Sequence, residues 1–180
     1  HIVAVFDTGV EPDNVGQAPS PVRGAGEGDG APYLVPELMG GGDIESLLEL
    51  ADGHRLPIED AINLALQITQ GLEFAHSKGL IHRDLKPGNV WLTAPYQVAQ
   101  SVESAQSADN KAGGGAVAKI GDFGLAVSLD RSRLTRAGMM VGTVAYMPPE
   151  QAMGGKVSVQ SDLYSLGAMV YEMVCGRPPF

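Results

Sequence analysis

The segment from Ser158 to Cys175 carries apolar side chains on every side of a helical wheel. They are Leu163, Tyr164, Leu166, Ala168, Met169, Val170, Tyr171, Met173 and Val174. A helix that is apolar all round is stable only where other parts of a protein cover it completely. We therefore expect a buried helix that belongs to a larger body than this chain can readily supply. Because the chain also starts at His1 without Met and stops at Phe180, we expect a fragment.

The composition is that of an ordinary globular chain. Hydrophobic residues make up 44% and charged residues 18% of the 180 residues, which excludes a disordered acidic tail. No apolar run reaches the roughly 18 residues that a membrane-spanning helix needs. The single cysteine, Cys175, excludes an internal disulfide, so nothing points to an oxidising compartment.

The net charge of −9 is concentrated in the first 60 residues, where Arg23 and Arg55 are the only Arg or Lys side chains. This argues against nucleic acid as the main partner, because binding to phosphate needs clustered Lys and Arg. Solubility is the simpler interpretation of the charge. The start lacks the basic segment of a signal peptide, so we expect a cytoplasmic chain, with any membrane anchor of the parent protein outside this sequence.

Local patterns predict short strands separated by long loops. Two loops, 11–31 and 94–116, are rich in Gly, Pro, Ala or Ser and have the composition of insertions. The first predicted strand, 1–10, is expected to form a hairpin with the second. The further predicted strands are 33–35, 80–81, 90–92 and 119–120.

Two helices are predicted before residue 80. Asp43 is a suitable N-cap for a helix over 44–51. A longer helix follows Pro57 and runs to about residue 78, where Gly79 ends it. Its apolar positions at helical spacing, which predict one apolar face, are Ile58, Ile62, Ala65, Leu66, Thr69 and Leu72.

The densest group of polar residues is the run from His82 to Asn89, between two apolar elements. Within it, Asp84, Lys86 and Asn89 offer a base, a cation and a neutral oxygen ligand on one loop. Further along, Asp122 follows a predicted strand and is flanked by glycines. Oxygen donors from two strand ends suit Mg²⁺, which takes few protein ligands. Such a set can accept a hydroxyl proton, neutralise a phosphate and hold a cation, as phosphoryl transfer requires.

The run from His82 to Asn89, followed by the triplet 122–124, resembles the catalytic loop and metal-binding triplet of protein kinases. The stretch 142–150 resembles the end of the kinase activation segment, with Pro148 where the family usually has Ala. The run 162–167 is similar to the start of the long buried helix of the large lobe. Four motifs in this order identify the chain as a member of the family, and the Pro-Gly-Asn sequence resembles that of bacterial serine/threonine kinases.

The resemblance implies an α+β fold with two lobes, present in part over 1–180. Residues 1–36 would be a remnant of the small β lobe, residues 37–42 the hinge, and residues 43–180 most of the mainly helical large lobe. The family's glycine-rich loop, strand lysine and partnering glutamate would precede His1, and the last helices of the large lobe would follow the end of the chain.

By the same resemblance, Asp84 accepts or orients the substrate hydroxyl proton, and Lys86 steadies the γ-phosphate of ATP. Asn89 and Asp122 hold Mg²⁺ or Mn²⁺, and therefore belong with Lys86 to the nucleotide site. The residues implied to contact adenine are Pro36, Glu37, Met39 and Trp91, of which Pro36 and Trp91 are unusual for the family.

The remaining motif residues belong, by resemblance, to the activation segment or to its support. Thr135 is the expected phosphorylation site, with Arg83 as the receiver of the phosphate. His82 and Asp162 are expected to be structural, with Asp162 binding the backbone near His82 and Arg83. The other activation-segment residues are Phe123, Gly124, Thr143 and Glu150, and the arginine that pairs with the last in the family would lie beyond this chain.

The implied function is that of a serine/threonine protein kinase, which transfers the γ-phosphate of ATP to Ser or Thr hydroxyls of protein substrates. We expect this activity of the full-length parent, because the isolated chain lacks the strand lysine and would expose apolar surface. One alternative is a pseudokinase that serves as a binding or scaffold module. Pseudokinases have normally lost one of the residues that correspond to Asp84, Asn89 and Asp122, and all three are present here. A second alternative, a small-molecule phosphotransferase of related fold, would lack Lys86 and the segment 149–150.

Overall fold

The computed structural model describes residues 1–10, 32–98, 115–123 and 144–180. These residues form two compact units. The small unit contains Val3–Leu38, and the large unit contains His1–Ile2 and Met39–Phe180. A small unit built on a strand pair and a mostly helical large unit agree with the expected α+β class.

The small unit is built on a hairpin of two strands, β1 (Val5–Val10) and β2 (Pro32–Pro36). The strands pair in antiparallel fashion, with Thr8 opposite Leu34. After β2, the N–H of Glu37 donates to the carbonyl of Ala4 at 2.8 Å. The predicted hairpin is therefore confirmed, although the first strand begins at Val5 instead of at the first residue.

The large unit contains a second strand pair, formed by β3 (Val90–Leu92) and β4 (Ala118–Ile120). The start of the chain joins this pair, because Ile2 bridges Ile120 in parallel and the His1 carbonyl accepts the Ile120 N–H at 2.9 Å. The two strands predicted at 90–92 and 119–120 are confirmed.

Four α-helices lie in the described part of the large unit. They are α1 (Ile44–Leu50), α2 (Ile58–Ser77), α3 (Pro149–Ala152) and α4 (Val159–Cys175), with 3₁₀ turns at Asp52–His54, Pro87–Asn89 and Val144–Tyr146. Asp43 caps α1 as predicted, since its Oδ1 accepts the N–H of Ser46 at 2.7 Å. Gly79 follows α2 with φ of +74°, a left-handed conformation that glycine adopts readily.

The strand predicted at 80–81 is not formed. The N–H of Leu80 donates to the carbonyl of Ala75 at 3.0 Å, and the N–H of Gly79 donates to the carbonyl of His76 at 2.9 Å. These bonds close the end of α2, so the backbone of Leu80 is used by the helix and not by a sheet. A short apolar pair after a helix cannot be distinguished from a strand by pattern alone.

The buried face of α2 differs from the predicted one. Ile58, Ile62 and Leu66 are 63%, 52% and 59% exposed, and Leu72 alone of the predicted set is buried. The buried residues are Asp60, Ala61, Leu64, Ile68, Gly71, Leu72 and Ala75. This second stripe also has helical spacing, and α2 contacts α4 and β4. The helix carries two adjacent apolar stripes, so periodicity alone could not choose the one that packs.

Helix α4 packs against α2 and the 3₁₀ turn at Val144–Tyr146. Its buried residues are Ser161, Asp162, Ser165, Leu166, Ala168, Met169 and Met173. Leu163 and Tyr171 remain 49% and 38% exposed. The described residues therefore do not cover α4 on all sides. This agrees with the expectation for the chain taken alone. None of the described helices is both long and apolar enough to cross a membrane.

The second predicted insertion is anchored at its start. The hydroxyl of Tyr96 donates to Oδ1 of Asp60 at 3.0 Å, and Asp60 is fully buried in the first turn of α2. Burial and the nearby Asp60 carboxylate raise the pKa of Tyr96. The inner part of this insertion, 99–114, and the whole of the insertion at 11–31 lie outside the described residues.

The buried face of α2 predicts different outcomes for one substitution at two positions. Ile68→Ala, at a fully buried site, is expected to lower the free energy of unfolding by about 2–5 kcal/mol, because it leaves a cavity. Ile62→Ala, at a site that is 52% exposed, is the matched control and should change it by less than about 1 kcal/mol. Denaturant titrations followed by circular dichroism measure both values, and equal losses would contradict the assigned faces.

Candidate active site

The loop between α2 and β3 holds the side chain of Asp84 through two neighbours. Asn89 donates from Nδ2 to the Asp84 carbonyl at 2.7 Å and to Asp84 Oδ2 at 3.2 Å. Lys86 Nζ lies 3.3 Å from the same Oδ2. The Asp84 side chain is still 34% exposed, so the carboxylate is fixed in place and remains open to a reactant. A fixed, accessible carboxylate of this kind can accept a proton.

His82 is fully buried and joins this loop to the segment after β4. Its Nε2 lies 2.8 Å from the Gly121 carbonyl, and its Nδ1 lies 3.3 Å from the backbone nitrogen of Asp84. Because the carbonyl can only accept, the proton belongs on Nε2, and Nδ1 accepts from the Asp84 N–H. The rings of His82 and Phe123 meet edge to face, with centroids 4.7 Å apart. The structural role expected of His82 agrees with these contacts.

Asn89 and Asp122 are the residues that could offer side-chain oxygen ligands to a divalent cation. The Gly121 N–H donates to the Asn89 carbonyl at 3.0 Å, which keeps the next residue, Asp122, close to the catalytic loop. Asp122 is exposed and has φ of +56°, which is uncommon for a residue other than glycine. The Asn89 amide nitrogen is occupied by Asp84, so Oδ1 is the atom that can bind a cation.

No group of three or more His, Cys, Asp or Glu side chains in the described part of the chain could hold a metal ion. A cation held by Asn89 and Asp122 would therefore need further oxygen ligands from water or phosphate. This fits a hard ion that keeps several waters and takes few protein ligands.

Asp162 lies at the start of α4 and is 1% exposed. Its Oδ2 accepts the N–H of His82 at 2.9 Å, and its Oδ1 accepts the N–H of Arg83 at 2.9 Å. These are the hydrogen bonds predicted for Asp162. A third partner, His76, places Nε2 2.7 Å from Oδ2. Sequence reasoning misses His76, because a lone histidine on a helix carries no signal until Asp162 is known to lie beside it.

Glu150, in α3, has a partner in the described residues that the sequence does not indicate. Its Oε1 accepts the hydroxyl of Ser161 at 2.5 Å, and this bond holds the pKa of Glu150 below its usual value. The Glu150 carboxylate therefore has a hydrogen-bond partner within the described residues.

The 3₁₀ turn before α3 is attached to α4 by two side-chain contacts. The hydroxyl of Tyr146 donates to Glu172, and the hydroxyl of Ser165 donates to the Tyr146 carbonyl at 2.8 Å. Burial, followed by the bond to Glu172, raises the pKa of Tyr146. The end of the predicted activation segment is therefore held on the same helix that supports the catalytic loop.

The residues expected to contact adenine are divided between the two units. Pro36 ends β2, and Glu37 follows it in the small unit, where its Oε2 accepts the Ala4 N–H at 3.3 Å. Met39 and Trp91 belong to the large unit, with Trp91 in β3 and 37% exposed.

The large-unit side of the predicted hinge is tied to β3 by close backbone contacts. The Gly41 N–H donates to the Leu92 carbonyl at 2.9 Å, and the Leu92 N–H donates to the Gly42 carbonyl at 2.8 Å. A Cβ at position 41 would lie 2.0 Å from the carbonyl oxygen of Ala94, so only glycine fits there. Three other predicted site residues, Gly124, Thr135 and Thr143, lie outside the described residues.

Comparison with known proteins gives a consistent set of relatives. Residues 22–180 match the model of the protein kinase domain family. The chain is 40% identical over 155 residues to serine/threonine-protein kinase PknA of Mycobacterium tuberculosis, a match that covers 86% of the chain and 31% of PknA. It is 33% identical over 180 residues to serine/threonine-protein kinase PknB of Mycobacterium leprae, covering 99% of the chain and 23% of PknB.

A third relative is the DNA damage-responsive serine/threonine-protein kinase RqkA of Deinococcus radiodurans, at 36% identity over 180 residues, with 99% of the chain and 22% of RqkA covered. The chain thus spans less than a third of the length of these relatives. Proteins of this family generally use ATP and a divalent metal ion. Since both the family match and the geometry around Asp84 lead to the same assignment, the chain belongs to the protein kinase domain family.

Proposed function

We propose that the full-length protein carrying this sequence is a serine/threonine protein kinase, which transfers the γ-phosphate of ATP to Ser or Thr hydroxyls of protein substrates. The observation that supports this most directly is the setting of Asp84, whose Oδ2 lies 3.2 Å from Asn89 Nδ2 and 3.3 Å from Lys86 Nζ. The names of the similar bacterial kinases support the same activity. The activity is proposed for the whole protein and not for the 180 residues alone.

Asp84 is the proposed catalytic carboxylate. As the substrate hydroxyl oxygen bonds to the γ-phosphorus, its proton passes to the Asp84 carboxylate and the bond between the γ-phosphorus and ADP breaks. The exposure of Asp84 gives an incoming hydroxyl access, while Asn89 keeps the carboxylate from rotating away. Lys86 supplies a positive charge beside the transferred phosphoryl group, where negative charge is spread in the transition state.

Asn89 and Asp122 are the proposed ligands of Mg²⁺ or Mn²⁺. A cation bound there would neutralise charge on the phosphates of ATP. The bond from the Gly121 N–H to the Asn89 carbonyl keeps the two ligands together, and His82 fixes the Gly121 carbonyl from the other side. The adenine contacts that the family resemblance implies are Pro36, Glu37, Met39 and Trp91.

The partners we propose are ATP and proteins with Ser or Thr acceptors, without nucleic acid, and the proposed location is the cytoplasm. The segment that resembles an activation segment is proposed to be regulated by phosphorylation at Thr135. A phosphate there would carry up to two negative charges and could form charge-assisted bonds with the Arg83 guanidinium. Phe123, Gly124, Thr143 and Glu150 belong to the same proposed segment.

Substitution of the two key carboxylates tests the proposed activity. Asp84→Asn removes the proton acceptor and keeps the side-chain shape, so kcat of the full-length protein should fall at least about 100-fold with ATP affinity unchanged. Asp122→Asn removes a charged metal ligand, so both kcat and the affinity for Mg²⁺-ATP should fall. Transfer of radiolabelled γ-phosphate and equilibrium ATP binding measure the two effects.

The matched control is Asp52→Asn, at an exposed position of a 3₁₀ turn. It should leave both measurements unchanged. Full activity of Asp84→Asn would contradict the kinase proposal. Wild-type protein that binds Mg²⁺-ATP but transfers no phosphate would instead support the scaffold alternative.

The proposed regulation predicts phosphate on Thr135 in active full-length protein, detectable by mass spectrometry. Thr135→Ala should lower kcat, because the phosphate that orders the segment is lost. Arg83→Gln should lower kcat to a similar level, and the double variant should lose no more than either single variant if the two groups act together. Ser132→Ala is the control and should stay active. If the losses of kcat in the two single variants add up in the double variant, Arg83 does not bind the phosphate on Thr135.

A further inference from the structure

Arg83 lies directly before Asp84 and has a backbone conformation that needs support from outside the loop. Its φ is +71°, in the left-handed region that few residues other than glycine adopt. Because Arg83 and Asp84 share a peptide unit, the conformation of Arg83 determines the direction in which the Asp84 side chain leaves the backbone.

Two side chains from distant parts of the chain hold the backbone of Arg83. Asp162 of α4 accepts its N–H at 2.9 Å, and Gln151 of α3 donates from Nε2 to its carbonyl at 2.8 Å. The peptide groups on both sides of Arg83 are therefore bound, and a change of its φ and ψ angles would break at least one of these bonds. The resemblance to kinases predicts the bond from Asp162, whereas the contact of Gln151 with the Arg83 carbonyl was not predicted.

The hydrogen bond from Gln151 to the Arg83 carbonyl can form in only one orientation of the side-chain amide. Nε2 faces a carbonyl oxygen, while Oε1 is buried and has no hydrogen-bond partner in the described part of the chain. If the amide were turned round, Oε1 would face the Arg83 carbonyl, and two acceptors would meet. The N–H donor is thus the feature of Gln151 that matters for Arg83.

We propose that Gln151 is a positioning residue for Asp84, acting through the Arg83 carbonyl. Gln151 directly follows the stretch 142–150, so its side chain also links the end of the proposed activation segment to the catalytic loop. This inference rests on the proposed kinase function and adds a residue to it. It predicts that loss of the N–H donor slows the chemical step without weakening ATP binding.

The test compares Gln151→Glu and Gln151→Met with the wild type in the full-length protein. Both substitutions keep the length of the side chain and remove the amide donor. Gln70→Glu is the matched control, because it makes the same change at an exposed position of α2. We expect kcat to fall about five- to tenfold in both Gln151 variants, with KM for ATP unchanged. The melting temperature should stay unchanged in Gln151→Met, whereas the carboxylate of Gln151→Glu faces the Arg83 carbonyl and lowers it.

A second measurement does not depend on catalytic activity. Hydrogen exchange of peptides that cover residues 82–85 should be faster in Gln151→Met than in the wild type, because the loop backbone is held less firmly. Unchanged kcat and unchanged exchange would overturn the positioning role. A fall in kcat of Gln151→Met that merely follows a fall in its melting temperature would overturn it as well. If the wild type transfers no phosphate, the kinase proposal fails and the exchange result alone decides this inference.

Discussion

The buried carboxylate of Asp162 is the interaction on which the rest of the site depends. A carboxyl side chain with 1% exposure is stable only if hydrogen-bond partners surround it, and here the N–H groups of His82 and Arg83 and the ring of His76 do so. These contacts attach the catalytic loop to α4 and the last turns of α2. Without the carboxylate, two backbone N–H groups would lose their acceptor, and the loop that carries Asp84 would lose its support.

The polar side of α4 serves two parts of the site. Near its start, Asp162 holds the catalytic loop, and Ser161 donates to Glu150 of α3. One or more turns later, Ser165 and Glu172 hold the backbone and the hydroxyl of Tyr146. A helix that is apolar by composition therefore positions polar groups through a few short or charged side chains on its buried side. Gln151 completes the arrangement, because it connects α3 directly to the loop.

Features set by neighbouring residues could be predicted from the sequence. The cap at Asp43 and the end of α2 at Gly79 depend on short-range geometry, and the sequence predicts both. The hairpin is predicted from the order of its two strands, although residues 11–31 separate them. The motif residues from His82 to Asn89 and the bonds of Asp162 followed from the family resemblance. The candidate site residues follow from the sequence because protein kinases keep such residues in a fixed order, and their roles stay predictions.

Features that depend on tertiary partners, and that the family resemblance does not supply, could not be predicted. The sequence of α2 offers two apolar stripes, and only the contacts with α4 and β4 select the one containing Leu64 and Ile68. His76 and Gln151 gain their roles from partners 86 and 68 positions away in the chain. Ser161 likewise gains its role from a residue outside its own helix, since its hydroxyl donates to Glu150. No local sequence pattern distinguishes it from an ordinary helix serine.

The burial of His82 has a consequence for spectroscopy. Both ring nitrogens are committed, Nε2 as a donor to the Gly121 carbonyl and Nδ1 as an acceptor from the backbone of Asp84. A ring N–H with no access to water is protected from exchange with solvent, so it gives an NMR signal that most histidines lose. That one proton lies between the loop that carries Asp84 and the segment after β4 that contains Gly121 and Asp122. Its chemical shift would therefore report, without any added label, whether the two parts of the site are joined.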